Sequence, residues 1–250
     1  MNLEIDRRDE VCELRLNAPP GNIIDRATCE AMTAAVHEYG ADKHLKAFLF
    51  TAAGKHFSFG ASVPEHAPGE VERFLPAFHE LFLTLADSHV PCVAAVRGMC
   101  LGGAFELAAF CHYVVAEPSA RFAAPEIKLG VLPPAACVIL PWRVGGAVAE
   151  DLILSGRSVT AQESRIVARL CDEGELESAV EALLDEHVRP LSAASLRLAV
   201  KAVRAPLHAE MHLRLPLLES IYLEELMASR DANEGIAAFL EKREPVWVDA

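Results

Sequence analysis

Strand-type and helix-type segments alternate along the first 160 residues, and this alternation constrains the fold more than any other feature. Cys12, Leu14 and Leu16 alternate with Glu13 and Arg15, which is the two-residue period of a half-buried strand. Further strands are predicted at L-K-A-F-L-F-T, V-P-C-V-A-A-V and Y-V-V-A. The second of these is almost continuously apolar, as is typical of a strand buried on both faces. The pattern favours an α/β architecture with parallel strands.

Helices dominate the C-terminal part of the chain. From about Thr160 onward the strand patterns fade, and Ser192 can cap a helix over S-A-A-S-L-R-L-A-V-K-A-V. Two more helices are predicted over His208–Met227 and Asn233–Lys242. We therefore expect a core over residues 1–190 and a helical region over residues 191–250. Nearer the N-terminus, Asp25 is a predicted cap for a helix that runs to about Tyr39.

Composition and charge exclude several classes of protein. The net charge of -13 over 250 residues argues against a nucleic-acid surface, which needs a basic stripe. The seven cysteines are odd in number, lie mostly in apolar runs and form no C-x-x-C, so reduced thiols are expected. The N-terminus is too charged for a signal peptide, and the apolar run Val131–Trp142 is short and contains three prolines. These features predict a soluble, cytoplasmic protein with no membrane partner.

The stretch M-C-L-G-G-A-F-E-L-A-A-F-C places a single carboxylate, Glu106, in an apolar helical segment. A lone charge there costs free energy unless it is paired, is hydrogen-bonded or has a role in binding or catalysis. Gly102 and Gly103 allow a close backbone approach, and a helix that begins there presents free N–H groups able to stabilise an oxyanion. From this segment alone a structural and a catalytic role for Glu106 are equally supported.

A second carboxylate favours the catalytic role. Glu126 follows a proline in R-F-A-A-P-E-I-K-L-G, 20 residues after Glu106, an interval that fits a helix, a return strand and a turn. Both side chains can therefore face one pocket. Two glutamates in an apolar site suit the addition of water to a double bond, because one deprotonates water while the other protonates carbon.

Other motifs favour simpler roles. His208 and His212 lie four residues apart and could share a zinc ion, but Glu210 does not follow the first histidine directly, so a solvated helix face is predicted and no metal site is expected. The G-x-S-x-G, P-loop and G-x-G-x-x-G motifs are missing from the sequence, which leaves serine-hydrolase and nucleotide-binding functions without their signatures. Lys242 and Arg243 suit the C-terminal end of a helix dipole.

At these motifs the chain resembles the crotonase superfamily, the enoyl-CoA hydratase/isomerase family. F-S-F-G-A-S and L-G-G-A-F-E-L-A resemble the two oxyanion segments of the family, and A-P-E-I-K-L-G resembles its P-E-I-x-x-G. The resemblance implies that the N–H groups of Ala61 and Gly103 form an oxyanion hole and that Glu106 and Glu126 are the catalytic glutamates. It also implies an α/β spiral of ββα repeats with a C-terminal helical trimerisation region.

The same resemblance implies an acyl-CoA thioester as substrate, with coenzyme A as part of the substrate and no separate cofactor or metal. Phe59 and Ser62, in the first oxyanion segment, are expected to contact coenzyme A. E-G-I-A-A-F-L-E-K-R-E-P resembles the C-terminal helix of the family, so Phe239 and Lys242 are expected to approach coenzyme A bound to a neighbouring subunit. A homotrimer or homohexamer is therefore implied.

The chain also departs from the family pattern. Ser62 and His112 replace common aspartates, and P-P-A-A-C-V at Pro133–Val138 replaces a glycine-rich segment. This segment and N-I-I-D at Asn22–Asp25 resemble the members that hydrate cyclohexa-1,5-diene-1-carbonyl-CoA. Proline and alanine would stiffen and fill the pocket wall, which suits a flat ring. A straight-chain enoyl-CoA hydratase, an enoyl-CoA isomerase and a non-enzymatic acyl-CoA-binding scaffold subunit stay open as alternatives.

Overall fold

The computed structural model describes residues 2–250, and strands and helices alternate along them. The strands are β1 (Leu3–Arg8), β2 (Val11–Leu16), β3 (Ala47–Ala52), β4 (Cys92–Val96), β5 (Met99–Leu101), β6 (Tyr113–Ala116), β7 (Arg121–Ala123), β8 (Val159–Thr160) and β9 (Arg169–Leu170). The α-helices are α1 (Arg26–Gly40), α2 (Val71–Ser88), α3 (Gly103–Phe110), α4 (Pro134–Val144), α5 (Gly146–Ser155), α6 (Leu176–His187), α7 (Ala193–Ser220) and α8 (Arg230–Glu241). Two 3₁₀ turns (Val63–His66, Pro125–Leu129) and one π-helix (Ile221–Leu226) complete the described elements.

Two sheets organise the chain. The larger sheet has the order β1-β2-β3-β4-β6-β9, with an antiparallel β1–β2 pair and parallel pairs from β2 onward. The smaller sheet has the order β5-β7-β8, with β5 and β7 parallel and β8 antiparallel to β7. Parallel neighbours need crossover connections, and α1, α2 and α3 lie within three of them. The predicted α/β architecture with parallel strands is confirmed.

The larger sheet is covered on both faces, which explains the continuous apolar character of its central strand. All five residues of β4 are buried. Cys92, Ala94 and Val96 join the main core, whereas Val93 and Ala95 join a second cluster that packs against α6. Because successive side chains of a strand point to opposite faces, a strand with two covered faces must be apolar at every position.

The C-terminal region differs from the prediction in its helix boundaries. Ser192 caps α7 as expected, its side chain accepting from the N–H of Ser195, but α7 runs for 28 residues through Pro206 instead of ending before it. Leu207, Met211 and Leu215 of α7 are buried in the main core. Their packing outweighs the local cost of a proline inside a helix. The division at residue 190 stays a prediction.

Two other predicted features can be compared with the structure. All seven cysteines are free thiols, and five of them are buried, in keeping with their apolar sequence surroundings. Within residues 2–250, no helix combines the length and the apolarity that crossing a bilayer requires.

Candidate active site

Two segments far apart in sequence meet at the carboxyl ends of β3 and β5. The loop after β3 bonds to the β5 segment, since Ser58 accepts from the N–H of Leu101 at 3.1 Å and donates to Met99 at 3.0 Å. A Cβ atom at Gly60 would lie 2.5 Å from the Leu101 carbonyl oxygen, and one at Gly103 would lie 3.3 Å from the Ala61 Cβ. The glycines therefore permit a backbone approach that side chains would block.

This contact brings the two predicted oxyanion donors, Ala61 and Gly103, side by side. Within residues 2–250 neither N–H donates to a backbone or side-chain acceptor. Gly103 is the first residue of α3, so its free N–H is one of the donors at a helix N-terminus. Unused N–H groups at the start of a helix and in an adjoining loop are what an oxyanion hole requires.

Glu106 lies in the first turn of α3 and is only 3% exposed. Its Oε1 accepts a hydrogen bond from the N–H of Ala136 at 2.7 Å, at the start of α4. Burial raises the pKa of Glu106 to about 7, and hydrogen bonds from the Ala136 and Ala135 N–H groups oppose the rise. These donors stabilise the ionised carboxylate, so Glu106 can hold a negative charge near neutral pH.

Glu126 lies in the 3₁₀ turn after β7 and is the neutral partner of the pair. Burial and the negative charge of Glu106 raise its pKa well above the usual value. Its Oε1 lies 2.7 Å from where a Cβ atom at Gly102 would stand, and its buried Oε2 has no hydrogen-bond partner among residues 2–250. Two interacting carboxyl groups in one apolar site share a proton, and the backbone donors at Glu106 leave that proton on Glu126.

A small, mostly apolar cavity opens beside Glu126, whereas Glu106 is not among its lining residues in the described chain. Its volume is about 60 Å³, and its lining consists of Phe59, Ala61, Val63, His66, Gly102, Pro125, Glu126, Leu129, Val131 and Ile236. A larger groove of about 290 Å³ lies over the α6 side of the main sheet and includes Arg8, Arg15 and Arg97. We place the site at the smaller cavity, because Glu126 and Ala61, whose N–H is unused, both line it.

The predicted coenzyme A contacts divide into two groups. Phe59 lines the cavity and is 42% exposed. Ser62 is nearly buried at the start of the first 3₁₀ turn, where its carbonyl oxygen accepts from Nδ1 of His66 at 2.8 Å. Phe239 and Lys242 lie exposed at the end of α8 and are not part of the cavity lining within one chain. Their contribution to a neighbouring subunit stays a prediction.

The segment Pro133–Ala136 is placed differently from the predicted pocket wall. These residues are absent from the cavity lining of the described chain. They form the start of α4, and the N–H groups of Ala135 and Ala136 hold the Glu106 carboxylate instead. The segment therefore contacts Glu106 through its backbone.

The predicted N-I-I-D motif supports the first oxyanion segment. Asn22 is fully buried, and its Nδ2 donates to the carbonyl oxygens of Ala53 and His56. Ile24 bonds to both sides of Ala61, donating to Gly60 and accepting from Ser62, each at 3.0 Å. Asp25 caps α1 as predicted, accepting from the N–H of Thr28 at 2.8 Å.

Three predicted histidines have partners outside the cavity. His208 and His212 each bond through Nε2 to Oδ1 of Asp87, at 2.7 and 2.8 Å, so the face expected to be solvated is tied to the end of α2. His112 accepts from the N–H of Cys92 at 2.9 Å, and burial lowers its pKa well below the usual value. It therefore serves as a neutral hydrogen-bond acceptor in place of the expected aspartate.

Sequence reasoning missed two polar residues near the cavity, His66 and Tyr222. His66 lines the cavity, and Tyr222 packs in one cluster with the lining residues Val131 and Ile236. His66 lies in V-P-E-H-A-P-G and Tyr222 in E-S-I-Y-L-E-E, and neither segment has a motif or spacing that marks the residue. Only the folded chain brings them together, with ring centroids 6.3 Å apart.

Comparison with known proteins assigns a class to this arrangement. A family model described as enoyl-CoA hydratase/isomerase matches residues 6–250. A cyclohexa-1,5-dienecarbonyl-CoA hydratase from Thauera aromatica is 46% identical over 97% of this chain and 95% of its own length. A carnitinyl-CoA dehydratase from Salmonella arizonae is 32% identical, with 98% of each chain covered.

Solved structures share the fold. An enoyl-CoA hydratase from Mycobacterium avium subsp. paratuberculosis K-10 superposes with a TM-score of 0.89 at 24% identity, covering 100% of this chain and 99% of its own. An enoyl-CoA hydratase/isomerase from Pseudoalteromonas atlantica T6c gives a TM-score of 0.85 at 28% identity, covering 99% and 100%. The predicted crotonase-type α/β fold with a helical C-terminal region is confirmed.

The chain belongs to the enoyl-CoA hydratase/isomerase family. Within that family it is an enzyme of the hydro-lyase type, as predicted from the paired glutamates, given its 46% identity to a hydratase over almost its whole length.

Substitution Gly102→Ala tests the packing between the two halves of the site. The new Cβ would press on Oε1 of Glu126, 2.7 Å away, and displace that carboxyl group. Displacing a catalytic group by about 1 Å costs roughly 100-fold in rate, so hydration of crotonyl-CoA should fall by at least that factor. Gly174→Ala is the matched control, because Gly174 also has a positive φ but faces open space. Equal activity of the two variants, measured by loss of enoyl absorbance, would contradict this geometry.

Proposed function

We propose that the protein hydrates a cyclic dienoyl-CoA thioester, cyclohexa-1,5-diene-1-carbonyl-CoA, in the degradation of aromatic compounds. The observation that carries the proposal is the carboxyl pair: backbone N–H groups stabilise Glu106, while burial and the charge of Glu106 raise the pKa of Glu126, which borders the apolar cavity. The choice of acyl group is supported by the 46% identity to the Thauera aromatica hydratase, against 32% to the carnitinyl-CoA dehydratase.

In this proposal the two glutamates have different roles. Ionised Glu106 takes a proton from water while the water oxygen bonds to the unsaturated acyl group. Electrons move through the conjugated system to the thioester oxygen, whose negative charge the Ala61 and Gly103 N–H groups stabilise. Neutral Glu126 then gives its proton to carbon as the thioester carbonyl re-forms. Protein groups and water suffice for these steps.

The cavity fits a short acyl group. Its lining beyond the glutamate is mainly aliphatic, with Val63, Leu129, Val131 and Ile236, and its volume is only about 60 Å³. A flat ring offers apolar faces to such walls, whereas a long fatty chain needs a deeper tunnel. The limited space therefore argues against a long straight-chain substrate of fatty-acid oxidation.

Binding of the coenzyme is proposed to involve two subunits of a homotrimer or homohexamer in the cytoplasm. Phe59 and Ser62 belong to the loop beside the cavity of one subunit. Phe239 is 53% exposed, an unusual exposure for a phenylalanine, and Lys242 ends the same helix in the left-handed conformation with its side chain exposed. A cation supplied across a subunit boundary would reduce the electrostatic repulsion between this acidic chain and the phosphates of the coenzyme.

Substitution of each glutamate tests the assigned roles. Glu106→Gln and Glu126→Gln should each reduce turnover by about 10²–10⁴-fold, the usual contribution of general acid–base catalysis, while thioester affinity is retained. Because ionised Glu106 is the base, wild-type kcat/KM should rise as the pH increases through about 7, the pKa of that group. Glu117→Gln is the control, a buried glutamate paired with Arg97 outside the cavity. Near-normal hydration by Glu126→Gln would indicate a one-glutamate isomerase.

A comparison of three substrates tests the acyl group. We expect kcat/KM to be highest for cyclohexa-1,5-diene-1-carbonyl-CoA, in keeping with the 46% identity to the Thauera aromatica hydratase, and lower for crotonyl-CoA. It should be lowest for a ten-carbon enoyl-CoA, because the small cavity excludes a long chain. The measurement is the initial rate of absorbance change at equal concentrations of enzyme. A preference for the ten-carbon chain would establish a straight-chain hydratase, and turnover of none of the three would favour a binding subunit.

The oligomeric state tests the shared coenzyme site. Light scattering should give the mass of a trimer or hexamer of the 27.1 kDa chain. Lys242→Ala should weaken coenzyme A affinity by about 5-fold, as for one exposed ion pair, and leave kcat unchanged. Lys43→Ala provides the control, an exposed lysine in the loop between α1 and β3. A monomer that binds coenzyme A normally would contradict the shared site.

A further inference from the structure

Tyr222 carries a buried phenol group that takes no part in the proposed catalytic steps. It lies on the π-helix Ile221–Leu226, between α7 and α8, and is 1% exposed. Its hydroxyl has no hydrogen-bond partner among residues 2–250. A buried tyrosine hydroxyl normally has a partner, and π-helical turns are frequent at functional sites. The unpartnered hydroxyl therefore needs an explanation.

The surroundings of Tyr222 connect it to the cavity. Its side chain packs in one cluster with Val131 and Ile236, which line the cavity, and its ring centroid lies 6.3 Å from that of His66, another lining residue. Burial, followed by the charges of Glu126 and Glu106, raises the pKa of Tyr222, so the hydroxyl keeps its proton. The neutral phenol of Tyr222 is therefore an unused hydrogen-bond donor that feels the charges of both carboxyl groups.

A second unpartnered atom belongs to a residue that lines the cavity against which Tyr222 packs. Oε2 of Glu126 is buried and has no partner among the described residues, although Glu126 borders the cavity. The two atoms are complementary, since a phenol donates and a carboxyl oxygen accepts. A water molecule or an alcohol hydroxyl can accept from the first and donate to the second at the same time. Each of these groups is also a reactant or product of hydration.

We propose that the hydroxyl of Tyr222 binds the oxygen atom that hydration adds to the acyl group, first as water and then as the product hydroxyl. This inference rests on the proposed function and adds a third contact to the reacting oxygen, beside the two glutamates. A purely structural role does not account for the hydroxyl, because phenylalanine would fill the same apolar cluster without burying an unpartnered polar atom.

The test is Tyr222→Phe, measured with crotonyl-CoA in the direction of hydration and with 3-hydroxybutyryl-CoA in the direction of dehydration. A variant cannot change the overall equilibrium, so kcat/KM must fall by the same factor in both directions, and we expect roughly 10- to 100-fold for the loss of one polar contact in the transition state. The loss should appear in kcat for crotonyl-CoA and largely in KM for 3-hydroxybutyryl-CoA, because only the second ligand carries the hydroxyl when it binds.

Inert ligands and a matched variant separate this role from a packing role. The inhibition constant of butyryl-CoA, which has no hydroxyl, should stay within about 2-fold of wild type, and the melting temperature should be equal or higher because an unpartnered polar atom is removed. Tyr113→Phe is the control, since Tyr113 lies at the start of β6 and packs toward α6. It should retain wild-type kinetics.

Three outcomes would overturn the proposal: unchanged kcat/KM for Tyr222→Phe, a parallel loss of butyryl-CoA binding, or an equal rise of KM for both reactants. The proposed function fails separately. If the wild-type enzyme hydrates crotonyl-CoA but prefers a long chain, the cyclic substrate is wrong, whereas the Tyr222 comparison still holds, because it uses only the ratio of hydroxylated to unhydroxylated ligands.

Discussion

The hydrogen bond from the Ala136 N–H to the buried carboxylate of Glu106 is the interaction on which the site depends. It joins the first turn of α3 to the first turn of α4 and stabilises a charge inside an apolar core. Without such donors a buried carboxylate takes up a proton, because the interior cannot solvate its charge. The bond therefore favours the ionised form of Glu106.

Glu126 depends on that bond indirectly. The charge retained on Glu106 adds to burial in raising the pKa of Glu126, so ionisation of Glu106 favours the protonated form of Glu126. The difference arises from backbone geometry, since both side chains are glutamates in apolar surroundings. The N-terminus of α4 supplies these donors without any cost in side-chain entropy. Pro134 is the first residue of α4, and its restricted φ favours the start of the helix at that position.

The position of the site follows from the sheets. The oxyanion loop follows β3, α3 follows β5, and Glu126 follows β7, so the chemical groups gather where strands end. Residues 103 and 126 follow β5 and β7, whose carboxyl ends share an edge because these strands are parallel in the smaller sheet. Backbone hydrogen bonds from Ser58 to the β5 segment bring the loop after β3, with residue 61, to the same edge. The smaller sheet holds α3 and the Glu126 turn in register, and glycines at positions 60, 102 and 103 let the backbones touch.

The sequence by itself determined the α/β class, the strand buried on both faces, the caps at Asp25 and Ser192, and the candidate pair Glu106 and Glu126. Each rests on local periodicity or on a motif whose residues are close in sequence. Tertiary structure alone decided that α7 passes through Pro206, that the alanines at 135 and 136 hold Glu106, and that Tyr222 lies beside the cavity. Those features depend on packing between segments far apart in sequence. Such packing can outweigh local helix propensity, and it brings together backbone donors and single side chains that no periodic sequence pattern identifies.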